Sequence, residues 1–154
     1  MTMNLASTDT ASGRNTGPAT SGPVLRVDDL VVSYYTDLGR ARALDNVSFT
    51  LEAGTKMGMV GESGSGKSTL ALAMMRMIKP PGRIEGGSVW VGGTDLQALN
   101  EEDMRKARLS KIAYIPQGAM NSLNPVMRVG AQMVDAIKSH LRGESASAIN
   151  DRCV

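Results

Sequence analysis

The sequence is poor in the residue types that mark several classes of protein. Only one of its 154 residues is a cysteine, Cys153, which excludes an internal disulfide framework and a metal cage built from thiolates. Aromatic residues make up 3% of the chain, and no apolar run approaches the roughly 18 uncharged residues of a membrane-spanning helix. Positive charge is not in excess either, because 17 Lys and Arg stand against 15 Asp and Glu. These absences, with the lack of a signal peptide's apolar core near the N-terminus, favour a cytoplasmic globular chain or a piece of one.

The composition changes sharply after residue 23. Residues 1–23 are rich in Thr, Ser and Gly and carry two charges, Asp9 and Arg14. Such a segment buries too little apolar surface to offset the entropy lost on ordering, so a disordered tail is predicted there. Residues 24–35 and 43–51 are rich in β-branched residues and partly alternate in polarity. They predict two strands that form a hairpin around a turn.

Three further elements are predicted later in the chain. Residues 88–91 favour a strand. Asn100 is a suitable N-cap for a helix whose first turn is acidic. Residues 129–141 have apolar residues at helical spacing and predict another helix.

A glycine-rich loop lies between a predicted strand and a predicted helix. Residues 55–60 form a short apolar run, which is typical of a central parallel strand buried on both faces. Residues 68–78 are strong helix formers and are followed by a Lys-Pro-Pro-Gly turn. Between them, residues 61–69 fit the pattern G-x-x-x-x-G-K-[ST] at every fixed position. This order of strand, loop and helix predicts a phosphate-binding loop.

Each position of this loop has a chemical reason. Gly61, Gly64 and Gly66 permit positive φ and a close approach of the backbone to a polyphosphate. Successive N–H groups at a helix N-terminus attract anions. Lys67 can neutralise the β- and γ-phosphates of a nucleotide, and the hydroxyl of Ser68 can bind Mg²⁺. The residues predicted to hold the nucleotide are Gly61, Glu62, Ser63, Gly64, Ser65, Gly66, Lys67, Ser68 and Thr69.

Around this loop, the sequence resembles the ATP-binding subunits of ABC transporters. Residues 44–49 (LDNVSF) resemble the strand that leads to the phosphate loop in this family. Tyr34 stands where the family has an aromatic residue that stacks on adenine, and its neighbour Tyr35 is the alternative. Gln117 follows a predicted strand over residues 111–115 and matches the family's Q-loop glutamine. The resemblance implies that Gln117 reaches Mg²⁺ and the attacking water, which makes Lys67 and Gln117 the predicted catalytic residues and Ser68 and Gln117 the metal ligands.

The segment after Gln117 indicates a branch of this family. It contains Asn121, Ser122, Leu123, Asn124 and Pro125, and resembles the importers of oligopeptides, dipeptides and nickel. The resemblance implies an ATPase at the cytoplasmic face of the cell membrane, bound peripherally and driving the uptake of peptides or similar solutes. Its expected cofactors are ATP and Mg²⁺. Its expected partners are permease subunits, a second ATP-binding subunit in a homo- or heterodimer and, indirectly, an extracytoplasmic solute-binding protein.

The predicted fold is α/β, with a P-loop NTPase core and an antiparallel β-subdomain. Residues 24–154 would form the N-terminal part of an ABC-type ATP-binding domain, truncated in the helical subdomain. The sequence contains no LSGGQ-type signature and no apolar strand that ends in Asp-Glu, both of which the resemblance leads us to expect. A phosphate-loop strand without its sheet neighbours would expose open edges and apolar faces.

Two other functions remain open at this point. One is a soluble ABC-type ATPase of DNA repair or translation, against which the segment after Gln117 argues. The other is an inactive fragment that only binds nucleotide, which the absent motifs favour for the 154-residue chain alone. Binding of nucleic acid is not expected, because the basic residues near position 105 follow three acidic residues on the same predicted helix.

Overall fold

The computed structural model describes residues 4–7, 22–118 and 123–140. The described segments contain six strands and three helices, in the order β1 (Asn4–Ser7), β2 (Pro23–Thr36), β3 (Gly39–Glu52), β4 (Met57–Val60), α1 (Lys67–Met74), β5 (Gly82–Val91), β6 (Thr94–Asp95), α2 (Glu101–Ser110) and α3 (Val129–His140). The chain divides into two compact units, Met1–Met104 and Arg105–Val154.

An antiparallel sheet of four strands, in the order β3-β2-β5-β6, forms the main layer of the first unit. Its longest pairing is the β2–β3 hairpin, which confirms the hairpin predicted from the alternating polarity. Thr36 pairs with Gly39 across a two-residue turn, and the Thr36 hydroxyl donates to the Gly39 carbonyl at 3.1 Å. Gly39 has φ 116, a value that glycine adopts without strain.

A bulge in β2 faces a glycine of β5. Asp28 pairs with Ser88 and Val31 pairs with Gly86, so two residues of β2 stand opposite Gly87 alone. A Cβ on Gly87 would lie 2.5 Å from the Leu30 Cα and within 2.7 Å of two carbonyl oxygens of the bulge. The two backbones therefore meet at a distance that only glycine allows.

β5 begins six residues earlier than the sequence indicates. A strand was expected over residues 88–91, whereas the structure extends it back to Gly82. The added residues include glycines, an arginine and a glutamate, which have weak strand propensity. They are held in the sheet because β2 supplies a long partner with which they pair.

The core of the first unit lies between the sheet and α1. Leu70 and Ala73 of α1 are fully buried, and α1 contacts β3. The other buried apolar residues of this unit come from the sheet, the loops and the first turn of α2, and are Val27, Leu30, Val32, Leu44, Met75, Val89, Leu96 and Met104. Each such leucine contributes about 1.5–3 kcal/mol through the apolar surface that it removes from water.

Trp90, the sole tryptophan of the sequence, lies on β5. Its indole N–H donates to the Ser88 hydroxyl at 2.8 Å, and the Arg26 guanidinium of β2 stacks over the ring at 5.3 Å from its centroid. The ring is half-buried. It therefore lies at the β2–β5 pairing, with partners from both strands.

The helix after the glycine-rich loop is shorter than predicted. It was expected over residues 68–78 but ends at Met74. The Arg76 N–H donates to the Ala73 carbonyl at 3.0 Å and the Met77 N–H donates to the Leu72 carbonyl at 2.8 Å. This pair of bonds is a Schellman motif, and Arg76 occupies its left-handed position with φ 50. The motif ends the helix among residues that all favour helix.

α2 begins where its capping signal predicts. The Asn100 side chain accepts a hydrogen bond from the Asp103 N–H at 2.9 Å, as expected for an N-cap. After the helix the structure differs from the prediction, because residues 111–115 form no strand and only Ile112 makes a bridge, to Arg108. Leu109 has φ 72 and turns the chain there, and Ile115 is 84% exposed. α3 confirms the helix predicted from residue 129.

The environment of β4 differs from the prediction in two ways. β4 pairs antiparallel with β1, and Val60 is 58% exposed, so the expectation of a parallel strand buried on both faces is wrong within the described residues.

The prediction of a disordered tail over residues 1–23 is wrong at residues 4–7, which form β1. That prediction considered only apolar burial, whereas an open strand edge offers backbone hydrogen bonds to almost any sequence. Residues 8–21 of the predicted tail lie outside the described residues.

Glu85 connects the hairpin to β5 through several hydrogen bonds. It accepts from the Tyr35 hydroxyl, from the Ser33 hydroxyl at 2.7 Å and from the Arg40 guanidinium. Ser33 itself is fully buried. The bonds from Tyr35 and Ser33, with the nearby Arg40 charge, lower the pKa of the Glu85 carboxyl from 4.5 to about 2. The bond to Glu85 also raises the pKa of Tyr35.

We expect a Glu85→Gln variant to lose stability at neutral pH but not in acid. The folded pKa of Glu85 lies below its unfolded value of 4.5. The stabilisation by the carboxylate is therefore complete above the unfolded pKa and is lost as the pH falls towards the folded value. Melting temperatures of both proteins should differ at about pH 7, and the difference should shrink below the unfolded pKa of 4.5 and disappear as the pH reaches about 2. A gap that stays constant over this range would contradict the role of Glu85.

Candidate nucleotide-binding site

The candidate site is the loop between β4 and α1. β4 delivers the chain to Gly61, and α1 starts six residues later at Lys67. Leucine, alanine and methionine after Thr69 favour the helix, and buried Leu70 fixes it against the core. The structure therefore confirms the order of strand, loop and helix on which the motif depends.

The Lys67 side chain lies at the centre of this loop. Its Nζ atom donates to the Gly61 carbonyl at 2.7 Å and to the Glu62 carbonyl at 2.6 Å. It also donates to the Ser65 hydroxyl at 3.0 Å. The loop thus wraps around the ammonium group, which is half-buried. A positive charge is held in place where the motif predicts phosphate.

The three motif glycines serve different purposes. Gly64 has φ 79 and Gly66 has φ 92, as expected. Gly61 is not among the residues with positive φ, so that expectation is wrong for Gly61. Glycine is needed at position 61 for a steric reason, because a Cβ there would lie 2.7 Å from the Ser65 hydroxyl oxygen. A side chain on Gly61 would push Ser65 away from its bond to Lys67.

The outer surface of the loop is open to solvent. Glu62, Ser63, Gly64 and Ser68 are exposed, whereas Ser65 and Thr69 are half-buried. The first backbone bond of α1 joins the Leu70 N–H to the Gly66 carbonyl at 2.8 Å, so the N–H groups before Leu70 point out of the N-terminus of the helix. These N–H groups, the helix dipole and the Lys67 charge all favour an anion with several oxygens.

The residues of this loop fit a magnesium ion that is bound together with a polyphosphate. Ser68 is exposed in the first turn of α1 and offers a hydroxyl oxygen, a ligand type that Mg²⁺ prefers. No cluster of three or more His, Cys, Asp or Glu residues that could hold a metal occurs among the described residues. Mg²⁺ is commonly held by one or two protein groups plus substrate phosphates, with water completing its shell.

The two candidate tyrosines have different surroundings. Tyr35 is 43% exposed; its hydroxyl is bonded to Glu85, and the Arg83 guanidinium lies over its ring at 5.4 Å. Tyr34 is half-buried, and its ring edge lies 2.7 Å from the position of a Cβ on Gly82. Tyr35 is thus engaged at its hydroxyl and on a ring face, which favours Tyr34 for contact with a base.

Gln117 belongs to the second unit, Arg105–Val154. It is exposed and begins a turn with Gly118. Residues 119–122 of the segment after it lie outside the described residues. Asn124 is held by Gln132 of α3, whose side chain accepts from the Asn124 N–H at 2.9 Å and donates to its carbonyl at 3.0 Å. No sequence pattern indicates this role of Gln132, because a glutamine on a helix has no distinctive pattern.

Comparison with known proteins gives matches over most of the chain. The family model described as "ABC transporter" matches residues 44–152. The oligopeptide transport ATP-binding protein OppD of Salmonella typhimurium is 38% identical over 149 residues, which are 97% of this chain and 43% of that protein. The dipeptide transport ATP-binding protein DppD of Escherichia coli is 40% identical over 124 residues, which are 80% of this chain and 38% of that protein. The chain thus spans about two fifths of the length of these relatives.

Solved structures agree with the fold. A dimeric bacterial ABC transporter cassette has a TM-score of 0.64 at 20% identity, over 83% of this chain and 53% of that one. A dimeric post-hydrolysis state of an ATP-binding cassette with ADP and Pi gives a TM-score of 0.63 over the same shares. The predicted cassette fold is therefore confirmed.

In the described part of the chain, no helix is both long enough and apolar enough to cross a membrane.

Proposed function

The chain belongs to the ABC transporter family, and from this premise we propose that it binds ATP with Mg²⁺ through residues 61–69. The observation that carries the proposal is the position of the Lys67 ammonium, held by three oxygen atoms of the loop at the N-terminus of α1. A fixed cation beside unpaired helix N–H groups is suited to bind the β- and γ-phosphates.

The roles of the individual residues follow from this arrangement. Lys67 would exchange loop carbonyls for phosphate oxygens, and the N–H groups of residues 67–69 would bind the β-phosphate. Ser68 would be the protein's hydroxyl ligand to Mg²⁺, which supplies charge neutralisation between the phosphates when bound. Gln117 would orient the attacking water and act as a ligand to Mg²⁺, the roles that the family resemblance implies. These groups position the reactants and stabilise charge, which is most of what phosphoryl transfer requires of a protein.

We expect the purified chain to distinguish nucleotides by their phosphates. ATP should bind more tightly than ADP, and both much more tightly than AMP, because the loop contacts the β- and γ-phosphates rather than the nucleoside. Isothermal titration in the presence of Mg²⁺ measures all three affinities. Binding of AMP as tight as that of ATP would contradict the proposed role of residues 61–69.

The same preparation should release no phosphate from ATP above background. Hydrolysis requires a closed site with a group that polarises water, and the printed sequence has no apolar strand that ends in Asp-Glu. The appropriate control is an intact ABC ATPase assayed at equal concentration. Turnover by the 154-residue chain close to that of the control would show that the residues for water activation have been misassigned.

Within a whole transporter, we propose that the chain's subunit drives uptake of peptides or similar solutes. The support is the similarity to proteins named for oligopeptide and dipeptide transport. Its partners would be permease subunits and a second ATP-binding subunit, with a solute-binding protein acting indirectly, and it would lie at the cytoplasmic face of the membrane. Reconstitution with the permease subunits and assay of ATP-dependent peptide uptake tests this assignment. Uptake that does not depend on this subunit would contradict it.

Tyr34 is the residue proposed to stack on adenine. A Tyr34→Ala variant should bind ATP about 1–2 kcal/mol more weakly, the scale of one lost base stack. Inorganic triphosphate has no base, so its affinity should not change. Tyr35→Ala is the matched comparison, and a larger loss of ATP affinity in that variant would move the adenine contact to Tyr35.

A further inference from the structure

Arg76 has an unusual backbone conformation at the end of α1. It occupies the left-handed position of the Schellman motif with φ 50, where glycine is the preferred residue because any Cβ is strained there. A strained residue persists when its surroundings hold it in place. At Arg76 those surroundings are the contacts of its own side chain.

The guanidinium of Arg76 reaches the connection between β6 and α2. Nη1 donates to the Leu99 carbonyl at 2.5 Å and approaches the Leu96 carbonyl at 3.5 Å. Nη2 donates to the carboxylate of Glu101, the first residue of α2. The Arg76 side chain is 21% exposed, whereas that of Glu101 is 76% exposed. The bonds to the two carbonyls are therefore the ones that are partly shielded from water and stronger than surface contacts.

A second side chain joins the same two parts of the unit. The Gln97 amide donates to the Ala73 carbonyl at 3.1 Å, while its own N–H donates to the Asp95 carboxylate at 3.0 Å. Ala73 is fully buried in the last turn of α1. The C-terminal end of α1 is therefore fixed to residues 95–101 from two sides.

The opposite end of α1 carries Lys67, whose ammonium organises the glycine-rich loop. α1 has eight residues, so its two ends are roughly 12 Å apart. A helix this short is rigid, and a tilt at its C-terminal end moves its N-terminal N–H groups as well. Binding sites lose much of their affinity when the groups that support them are loosened.

We propose that Arg76 is a positioning residue for the phosphate loop, acting through α1. It holds the helix at an orientation in which Lys67 and the N-terminal N–H groups converge on the nucleotide. The proposal rests on the proposed function of residues 61–69 and adds to it a residue outside the motif. Arg76 touches no phosphate itself.

The decisive variant is Arg76→Gly. It relieves the strained backbone and removes the guanidinium, so a loss of function cannot come from the backbone conformation. Asn46→Gly is the matched control, because Asn46 is exposed and also left-handed, with φ 49, but does not belong to α1. Gln97→Ala removes only the second contact, and Arg76→Lys keeps the charge without the forked geometry.

Two measurements on the 154-residue chain test the proposal. Amide hydrogen exchange without nucleotide should be roughly tenfold faster in residues 67–74 of Arg76→Gly, with the β2–β5 pairing unchanged. ATP affinity should fall roughly tenfold. Gln97→Ala and Arg76→Lys should show smaller changes of the same kind, and Asn46→Gly should match the original chain in both measurements.

Several results would contradict the positioning role of Arg76. Unchanged exchange in residues 67–74 of Arg76→Gly, or faster exchange over the whole sheet, would refute the positioning role. So would an ATP affinity within twofold of the original chain. If the original chain binds no ATP, the proposed function fails, and the exchange measurement still decides whether Arg76 holds α1.

Discussion

Replacing Lys67 with alanine is expected to reduce ATP affinity on the order of 100-fold, or about 3 kcal/mol. The ammonium group is held by two carbonyls and a hydroxyl of the loop. In the variant, the phosphate charge would meet those carbonyl oxygens without a cation between them, which is repulsive. The loop would also lose the group around which it folds. Isothermal titration with ATP and Mg²⁺ measures the change.

Lys56→Ala is the control for loss of one positive charge. Lys56 is exposed just before β4 and lies outside the glycine-rich loop. ATP affinity should be nearly unchanged in this variant, and both variants should keep the circular dichroism spectrum of the original chain. If Lys67→Ala and Lys56→Ala bind ATP equally well, the phosphate contact assigned to Lys67 is wrong.

Gly87→Ala is expected to destabilise the first unit by about 3–5 kcal/mol. The φ of Gly87 is +95, which strains any residue with a Cβ. The new methyl group would also lie 2.5 Å from the Leu30 Cα and 2.6 Å from the Asp29 carbonyl oxygen. Both atoms are backbone, so relief requires separation of β2 from β5. A loss of this size is a large fraction of the stability of a small domain.

Gly86→Ala provides the comparison at the neighbouring position. A Cβ on Gly86 meets no atom within 4 Å, and its φ lies outside the strained range. Its stability should change by less than about 1 kcal/mol. Urea denaturation followed by circular dichroism measures both variants. Equal urea midpoints for Gly87→Ala and Gly86→Ala would show that the bulge at Asp29 and Leu30 can move to accommodate a methyl group, which would contradict the expected clash.

The sequence predicts the order of strand, loop and helix around residues 61–69 well, because the conformation of this loop depends on local geometry. Gly64 and Gly66 must have positive φ, and Lys67 must follow at a fixed spacing, so the whole requirement is visible in nine residues. The hairpin is equally local, since strand polarity and a two-residue turn define it. These features need no information from distant parts of the chain.

The features that were missed depend on distant partners. α1 ends at Met74, and Arg76 in the turn after it is held by side-chain bonds to residues 96–101. No helix propensity encodes that contact. β5 extends to Gly82 because β2 offers a partner. Residues 111–115 have the composition of a strand, but a strand also needs a neighbouring strand with which to form hydrogen bonds. Residues 4–7 form a strand because β4 has an open edge, although their own composition favours disorder.

The position of Trp90 has a spectroscopic consequence. Because the chain has a single tryptophan, its indole emission arises from one place, at the pairing of β2 with β5. Separation of these strands would remove the Arg26 guanidinium from the ring and expose that face of the half-buried indole to water, which shifts the emission to longer wavelength. Intrinsic fluorescence therefore follows the integrity of this sheet without an attached dye.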